Sequence, residues 1–442
     1  MTDEPLRAFL RREALRCVQP PTERFRHPWL SPMPPSVEGA RWLAAQRAGS
    51  QRDDTPAGGD RFALGDYGLG LFHHDVSESA IALAREPELA EACLGSLLCF
   101  LDCASADGCI HRTELPHRTR DAEPAKPVMA QLALRVLEGD GARLDERFDE
   151  HRVLPRLLAF IDYLERTHVG AHGLFLTPSA RASGFDSDLL SAGFPERSIE
   201  GPDTNALMVL EYLAAGELAR RLGDGAAASL LSEKAEALAE RIEALLWYED
   251  DRGGTYVALR SRQRGEGWED EVVGHRDPDG VLRPIASWVG LLPLYAGIPS
   301  LERAAKLVER LASPAGFWGP VGVRTLSRES VFFHQAPRVL LYDPRRGEPG
   351  PVSNWMGPVW VLSSYYLARG LERYGEQARA RELDERTVAL LADDLRCTGT
   401  LHECYDDEGR GLWPLAGGFV SWSVLALTLP GPSGDPVLAL GR

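Results

Sequence analysis

Asn354-Trp355-Met356-Gly357-Pro358-Val359-Trp360 sets two indoles on either side of a Gly-Pro corner. An amphipathic run from Val361 to Tyr374 follows at once. Pro358 suits the start of a helix, where a missing N–H costs nothing. Gly357 lets the backbone approach whatever lies in front of it. The stretch therefore predicts a helix that opens at a loop carrying two flat apolar faces. Two such faces beside a chain reversal suit the stacking of a pyranose ring. They suit equally a buried Trp pair that packs a helix start.

Outward from this corner the chain alternates helix, short turn, helix and longer loop. Helices are expected over Glu4–Arg16, Ser36–Ala48, Ser77–Cys103, Lys126–Leu137, Val153–Thr167, Asp203–Leu222 and Ala226–Trp247. Further helices are expected over Ile285–Tyr295, Leu301–Ala312, Val359–Tyr374, Ala378–Leu395 and Val420–Leu429. Strong strand runs are nearly absent. Helix pairs recur at about 40 to 60 residues without internal identity, which fits a solenoid or a closed ring. The long loops hold the aromatic and carboxylate motifs and the short turns do not. Alternate connections of a ring fall on one face, so the long loops would share one mouth. That favours an all-α ring of helix pairs. Residues 1–35 read as a charged helix and a Pro-rich arm. Residues 36–442 read as one domain, with an inserted segment at Val331–Val352.

The chain has 442 residues and a formal net charge of −16, with lysine only at 126, 234 and 306. So acidic a surface argues against a nucleic acid or an anionic membrane as partner. No apolar run reaches spanning length, and Met1-Thr-Asp-Glu-Pro-Leu-Arg7 has no signal core. A cytoplasmic protein is expected. Seven cysteines, an odd number in mostly apolar helical context, read as buried thiols. No metal or cofactor is expected.

Cleaving a glycosidic bond by acid and base needs two carboxyl groups in unlike surroundings, one protonated and one ionised. The loop carboxylates Asp75, Asp186, Asp188, Asp203, Glu269 and Glu403 are candidates, and composition does not rank them. A ranking comes from motifs taken in order: Phe72-His-His-Asp75, Ser183-Gly-Phe-Asp186, Gly290 to Gly297, Gly322 to Arg328, Trp355 to Trp360, and His402-Glu-Cys-Tyr405 followed by Phe419-Val-Ser-Trp422. Together they resemble the bacterial members of glycoside hydrolase family 63, over about Leu69 to Leu429. The resemblance implies an (α/α)6 barrel and an inverting α-glycosidase acting on a small carbohydrate.

It further implies Asp186 as general acid and Glu403 as general base, about 6.5–9.5 Å apart so that a water fits between them. Asp75, Phe72, Trp355, Trp360, Trp422 and His402 would line the sugar site. The residues themselves suggest that Phe185 and Leu189-Leu190 desolvate Asp186, and that His402 and Tyr405 keep Glu403 polar and ionised. Two departures stand out. The family's Arg in Trp-Arg-Gly-Pro is Met356, and its Asn-Ser-Pro-Arg after the acid is Ser187-Asp-Leu-Leu190. Two other functions remain open: a non-catalytic sugar-binding protein on this scaffold, and an epimerase depending on His73 or His402.

Overall fold

A computed structural model describes residues 3–36, 68–139, 144–264, 267–343, 348–413, 417–431 and 434–441. The helix expected beyond Ser36, to Ala48, falls outside these residues. The described chain is mostly helical. Its helices are α1 (Glu4–Cys17), α2 (His73–Leu83), α3 (Pro87–Asp102), α4 (Met129–Gly139), α5 (Leu144–Glu150) and α6 (Val153–Thr167). They continue with α7 (Pro202–Arg221), α8 (Gly225–Leu245), α9 (Pro293–Ala296), α10 (Leu301–Leu311), α11 (Val361–Arg373) and α12 (Gln377–Thr398). Short 3-10 segments cover Trp288–Leu291 and Ser421–Thr428.

Burial sorts the helices into two kinds. In α2 every residue is buried, and α7 and α11 are buried nearly all round. In α8 only Leu231, Ala235, Leu238 and Ile242 are buried, a single stripe. Stripe helices cover a core on one side, and helices buried all round lie within it. The inner elements pack in succession: α2 on α4, α4 on α7, α7 on α9, α9 on α11, α11 on Ser421–Thr428, and that segment on α2. Outside them, α3 packs on α2 and α4, α6 and α8 on α7, and α12 on α11. The N-terminal helix α1 covers Ser421–Thr428, and its Leu6, Leu10, Ala14 and Cys17 belong to the same hydrophobic core as the inner helices.

Local chemistry explains the ends. Pro202 opens α7, Asp224 accepts the Ala227 N–H at 3.0 Å, and Gly399 ends α12 at φ 74°. The expected helix Ile285–Tyr295 is instead a 3-10 turn capped by Ser287 and then the short α9. Pro293, which has no N–H to donate, starts the new helix.

Strands are commoner than the sequence suggests. All form small antiparallel sheets among the described residues. One joins Leu71–Phe72, His111–Leu115 and Arg118–Pro124, and another joins Val359–Trp360, Cys404–Tyr405 and Gly411–Trp413. Most are too short to display a period of two. The segment expected as an insert contains a hairpin of Arg338–Asp343 with Glu348–Ser353.

The inner helices are also tied from within. Arg135 on α4 donates to both Asp435 oxygens (3.1 and 3.0 Å), to the carbonyl and hydroxyl of Ser77 on α2 (3.1 Å each) and to Tyr295 on α9. Arg135 and Asp435 are both essentially unexposed. Replacing Arg135 by Met strands a buried carboxylate and is expected to cost about 3–5 kcal/mol in urea unfolding. A loss under 1 kcal/mol would show that the pair holds nothing together.

Candidate active site

The site is built where the inner elements begin. Asp75 is the third residue of α2, and its Oδ1 accepts from Ser421 Oγ at 2.7 Å, at the start of the last inner segment. Asp75 therefore lies in the first turn of the helix. Phe72, the residue before α2, is paired with Thr113 across the first sheet. The second sheet pairs Trp360 with Cys404, and Cys404 with Trp413. It therefore brings the Trp-Met-Gly-Pro corner directly beside Glu403.

The indoles of Trp355 and Trp360 stack on each other, centroids 3.7 Å apart at 15°, and are 1% and 0% exposed. The two open faces expected from the sequence are thus turned inward. Each indole has a polar partner: Trp360 Nε1 donates to Asn354 O at 2.9 Å, and Trp355 Nε1 to Ser353 Oγ at 3.1 Å. Trp422 is buried against Trp360 and His74.

Phe185 is the hub of this apolar layer. Its ring meets Trp288 (4.7 Å), Trp355 (4.8 Å) and His74 (5.3 Å). Lys126 Nζ lies 3.4 Å from its centroid. Gly184, at φ 75°, makes the approach possible, because a Cβ there would sit 2.4 Å from His74 Nδ1. Burial pulls the Lys126 ammonium down to about 8, against the pull of Asp203, Glu78 and Asp188. Burial and the nearby Lys126 keep His74 neutral. Asp188 is tied to the Ser287 hydroxyl and accepts from Leu190 N at 2.9 Å, and burial pushes it up to about 7. Asp203 faces Lys126 at 3.8 Å. Glu269 lies on a hairpin strand opposite Arg262.

Asp186 follows Phe185 and is half-buried, and Ser353 Oγ donates to its Oδ2 at 3.2 Å. Glu403 is buried, and desolvation pushes its carboxyl well above the usual range. Asp75 and Asp186 push it the same way, and Arg338 opposes them. Burial raises Asp75 to about 7, with Asp186 adding to the rise and Ser421 and Arg112 resisting it. Asp186 thus lies within electrostatic reach of both Asp75 and Glu403, and Asp75 within reach of Glu403. The surroundings differ from those read from the sequence: Asp186 is half-buried, whereas Glu403 keeps only 5% of its surface exposed. The second sheet draws Glu403 inward: its backbone N–H donates to the Trp413 carbonyl, and the next residue, Cys404, pairs with both Trp360 and Trp413.

His402 Nδ1 lies 2.9 Å from Asp394 Oδ2, and that oxygen also accepts from the His402 backbone N–H (3.1 Å) and the Tyr405 hydroxyl (2.9 Å). Asp394, on α12, thus grips both flanks of Glu403. Farther along, Arg324 donates to both Asp407 oxygens (2.9 and 3.0 Å). Gln335 bridges Gly357 O and Asp407 (3.2 and 3.3 Å). His73 Nδ1 faces the Arg112 carbonyl at 3.1 Å.

The family profile described as "Mannosylglycerate hydrolase MGH1-like glycoside hydrolase domain" matches residues 109–423, well over half of the chain. The chain belongs to that family, within glycoside hydrolase family 63. A mannosylglycerate hydrolase of Rubrobacter radiotolerans is 28% identical over 191 residues, 43% of this chain and 36% of the relative. The chain thus spans about a third of that relative's length. The crystal structure of a GH63 mannosylglycerate hydrolase from Thermus thermophilus, in complex with Tris and D-glycerate, superposes with a TM-score of 0.66 at 18% identity. That match covers 96% of this chain and 99% of the other. Neutral trehalase Nth1 of Saccharomyces cerevisiae gives 0.58 at 14% identity, over 85% and 74%. Both likenesses concern the fold.

Several groups around the site of this MGH1-like chain escape sequence reading: Ser353, Lys126, Arg338 and Asp394. Only Ser421, inside Phe419-Val-Ser-Trp422, sat in a quoted motif. Asp394 lies on an amphipathic helix, where a carboxylate carries no signal of its partner. Replacing Asp394 by Ala takes the acceptor from the Tyr405 hydroxyl and from the His402 ring, and leaves the His402 backbone N–H only the Tyr405 oxygen at 3.1 Å. It is expected to cost about 2–4 kcal/mol in urea unfolding. A matching loss of stability in Asp394→Asn would show that the charge matters, and full stability in the Ala variant would refute the grip.

Proposed function

We propose that the chain is an inverting glycoside hydrolase cleaving a small α-glucoside or α-mannoside in the cytoplasm. Asp186 serves as general acid and Glu403 as general base. The observation that carries this reading is the convergence of Asp75, Asp186 and Glu403 from three distant parts of the chain, close enough that Asp186 lies within electrostatic reach of the other two. Membership in a family of glycoside hydrolases supports it, as does the naming of relatives as mannosylglycerate hydrolases. The scaffold is an (α/α)6 barrel: six inner elements in contact around a ring, α1 among their outer cover, and the site at the mouth where they begin. Residues 36–442 form the single catalytic domain, and residues 1–35 are its N-terminal helix and Pro-rich arm.

In this mechanism the half-buried Asp186, reachable from outside, protonates the departing oxygen. Ser353 fixes its orientation. Glu403, on the other side of the bond, removes a proton from water as it attacks the anomeric carbon. Asp75, Phe72, Trp422 and His402 bound the place of the non-reducing sugar. The buried stack of Trp355 and Trp360 forms the wall behind it.

Asp186→Asn and Glu403→Gln should each lower release of sugar by about 10²–10⁴-fold on a panel of α-mannosides and α-glucosides. NMR should detect the β-anomer as first product. Comparable turnover in both variants would overturn the assignment of the pair. An α-anomer as first product would overturn inversion. Calorimetric sugar binding with no release by the intact protein would favour the non-catalytic reading.

A further inference from the structure

Glu403 poses an electrostatic difficulty for the reading just given, on which this inference rests. A general base must be ionised, yet Asp75 approaches it from α2 and Asp186 from the segment before Ser187. The Cys404 thiol adjoins it on its own strand. The neighbouring His402 has its Nδ1 committed to Asp394. The positive charge acting on Glu403 comes from Arg338.

The place of Arg338 is structurally defined. It begins the hairpin, with its Cα opposite Ser353. Its guanidinium carbon sits 4.2 Å from the centroid of the Trp413 ring. The Trp413 carbonyl in turn accepts the Glu403 backbone N–H. The next rung, Val339 with Val352, is buried, whereas Leu340 beyond it is 71% exposed. The hairpin is thus anchored at its first two rungs, with Leu340 on the outward face. On the first rung, Arg338 faces the Glu403 side and Ser353 holds Asp186.

We propose that Arg338 is a positioning residue for catalysis: the first rung of the hairpin brings a guanidinium to the general base and a hydroxyl to the general acid, so that one inserted element addresses both carboxyls. A cation within several ångströms favours the ionised carboxylate, so its removal raises the pH at which the base becomes available. Guanidinium suits the post because it stays charged at every working pH and stacks flat on an indole.

The test compares wild type, Arg338→Met and Arg338→Lys. In the Met variant the acid limb of kcat/KM against pH should move up by about one unit or more. Activity should then fall about tenfold at pH values below the limb and approach wild type above it, with KM little changed. Lys, a cation without the planar stack, should restore part of the shift. An unmoved limb with raised KM would make Arg338 a substrate ligand and overturn the proposal, as would an unaltered profile. An infrared titration of the Glu403 carboxyl, assigned by its loss in Glu403→Gln, needs no turnover. An upward shift in Arg338→Met supports the proposal even if no glycoside is hydrolysed, in which case the glycosidase reading alone fails. No shift there overturns the role of Arg338.

Discussion

Removing like charges from water and then holding them together is the costly act around which this protein is arranged. Asp75 and Glu403 are buried, and each is pushed up first by the loss of solvent and then by other carboxyls. Such groups favour their neutral forms, so their contribution to stability is greatest in acid and declines as pH rises toward and through about 7. The compensations are local and come from different elements. Ser421 and Arg112 resist the rise at Asp75, Ser353 holds Asp186, and Arg338 opposes the rise at Glu403. None of these groups is near its carboxyl in sequence. The ring of helices makes them neighbours.

A second buried polar layer lies behind Phe185. Lys126 rests on the ring face away from bulk water, with Asp203 near it and Asp188 and Glu78 within electrostatic reach. One aromatic side chain thus separates a cation from the half-exposed Asp186. This explains why the segment Ser183–Asp186 needs a left-handed Gly184: the backbone has to fold against His74 for Phe185 to fill the centre of the layer. Met356 is half-buried and packs against the hydrophobic core.

The helices were legible wherever amphipathic spacing or a proline and a capping residue marked them, as at α7 and α10. The motifs were legible as a set because their order is distinctive. The sequence was silent on what each motif faces. Trp355 and Trp360 look like open platforms on paper, but five residues of separation across a strand-to-helix corner folds them onto each other. Asp186 among Phe and Leu looks dry, yet its side chain points back toward Ser353. Glu403 between His and Tyr looks wet, yet both neighbours turn away to Asp394 on an outer helix. Burial of a loop residue is decided by which distant strand pairs with it, and two-residue strands leave no periodic trace.

The N-terminal helix is clasped to the last inner segment: Arg7 donates to the carbonyls of Leu427 and Leu429, both at 2.7 Å. These partners stand 420 and 422 residues apart in sequence, so the contact forms only once nearly all of the intervening chain is present. Until then the side of α1 that faces Ser421–Thr428 is uncovered, although α1 also packs on α3, and closure of so long a loop slows assembly. Part of an apolar stripe thus stays open until that closure, a window in which chaperone binding would guard the chain from aggregation.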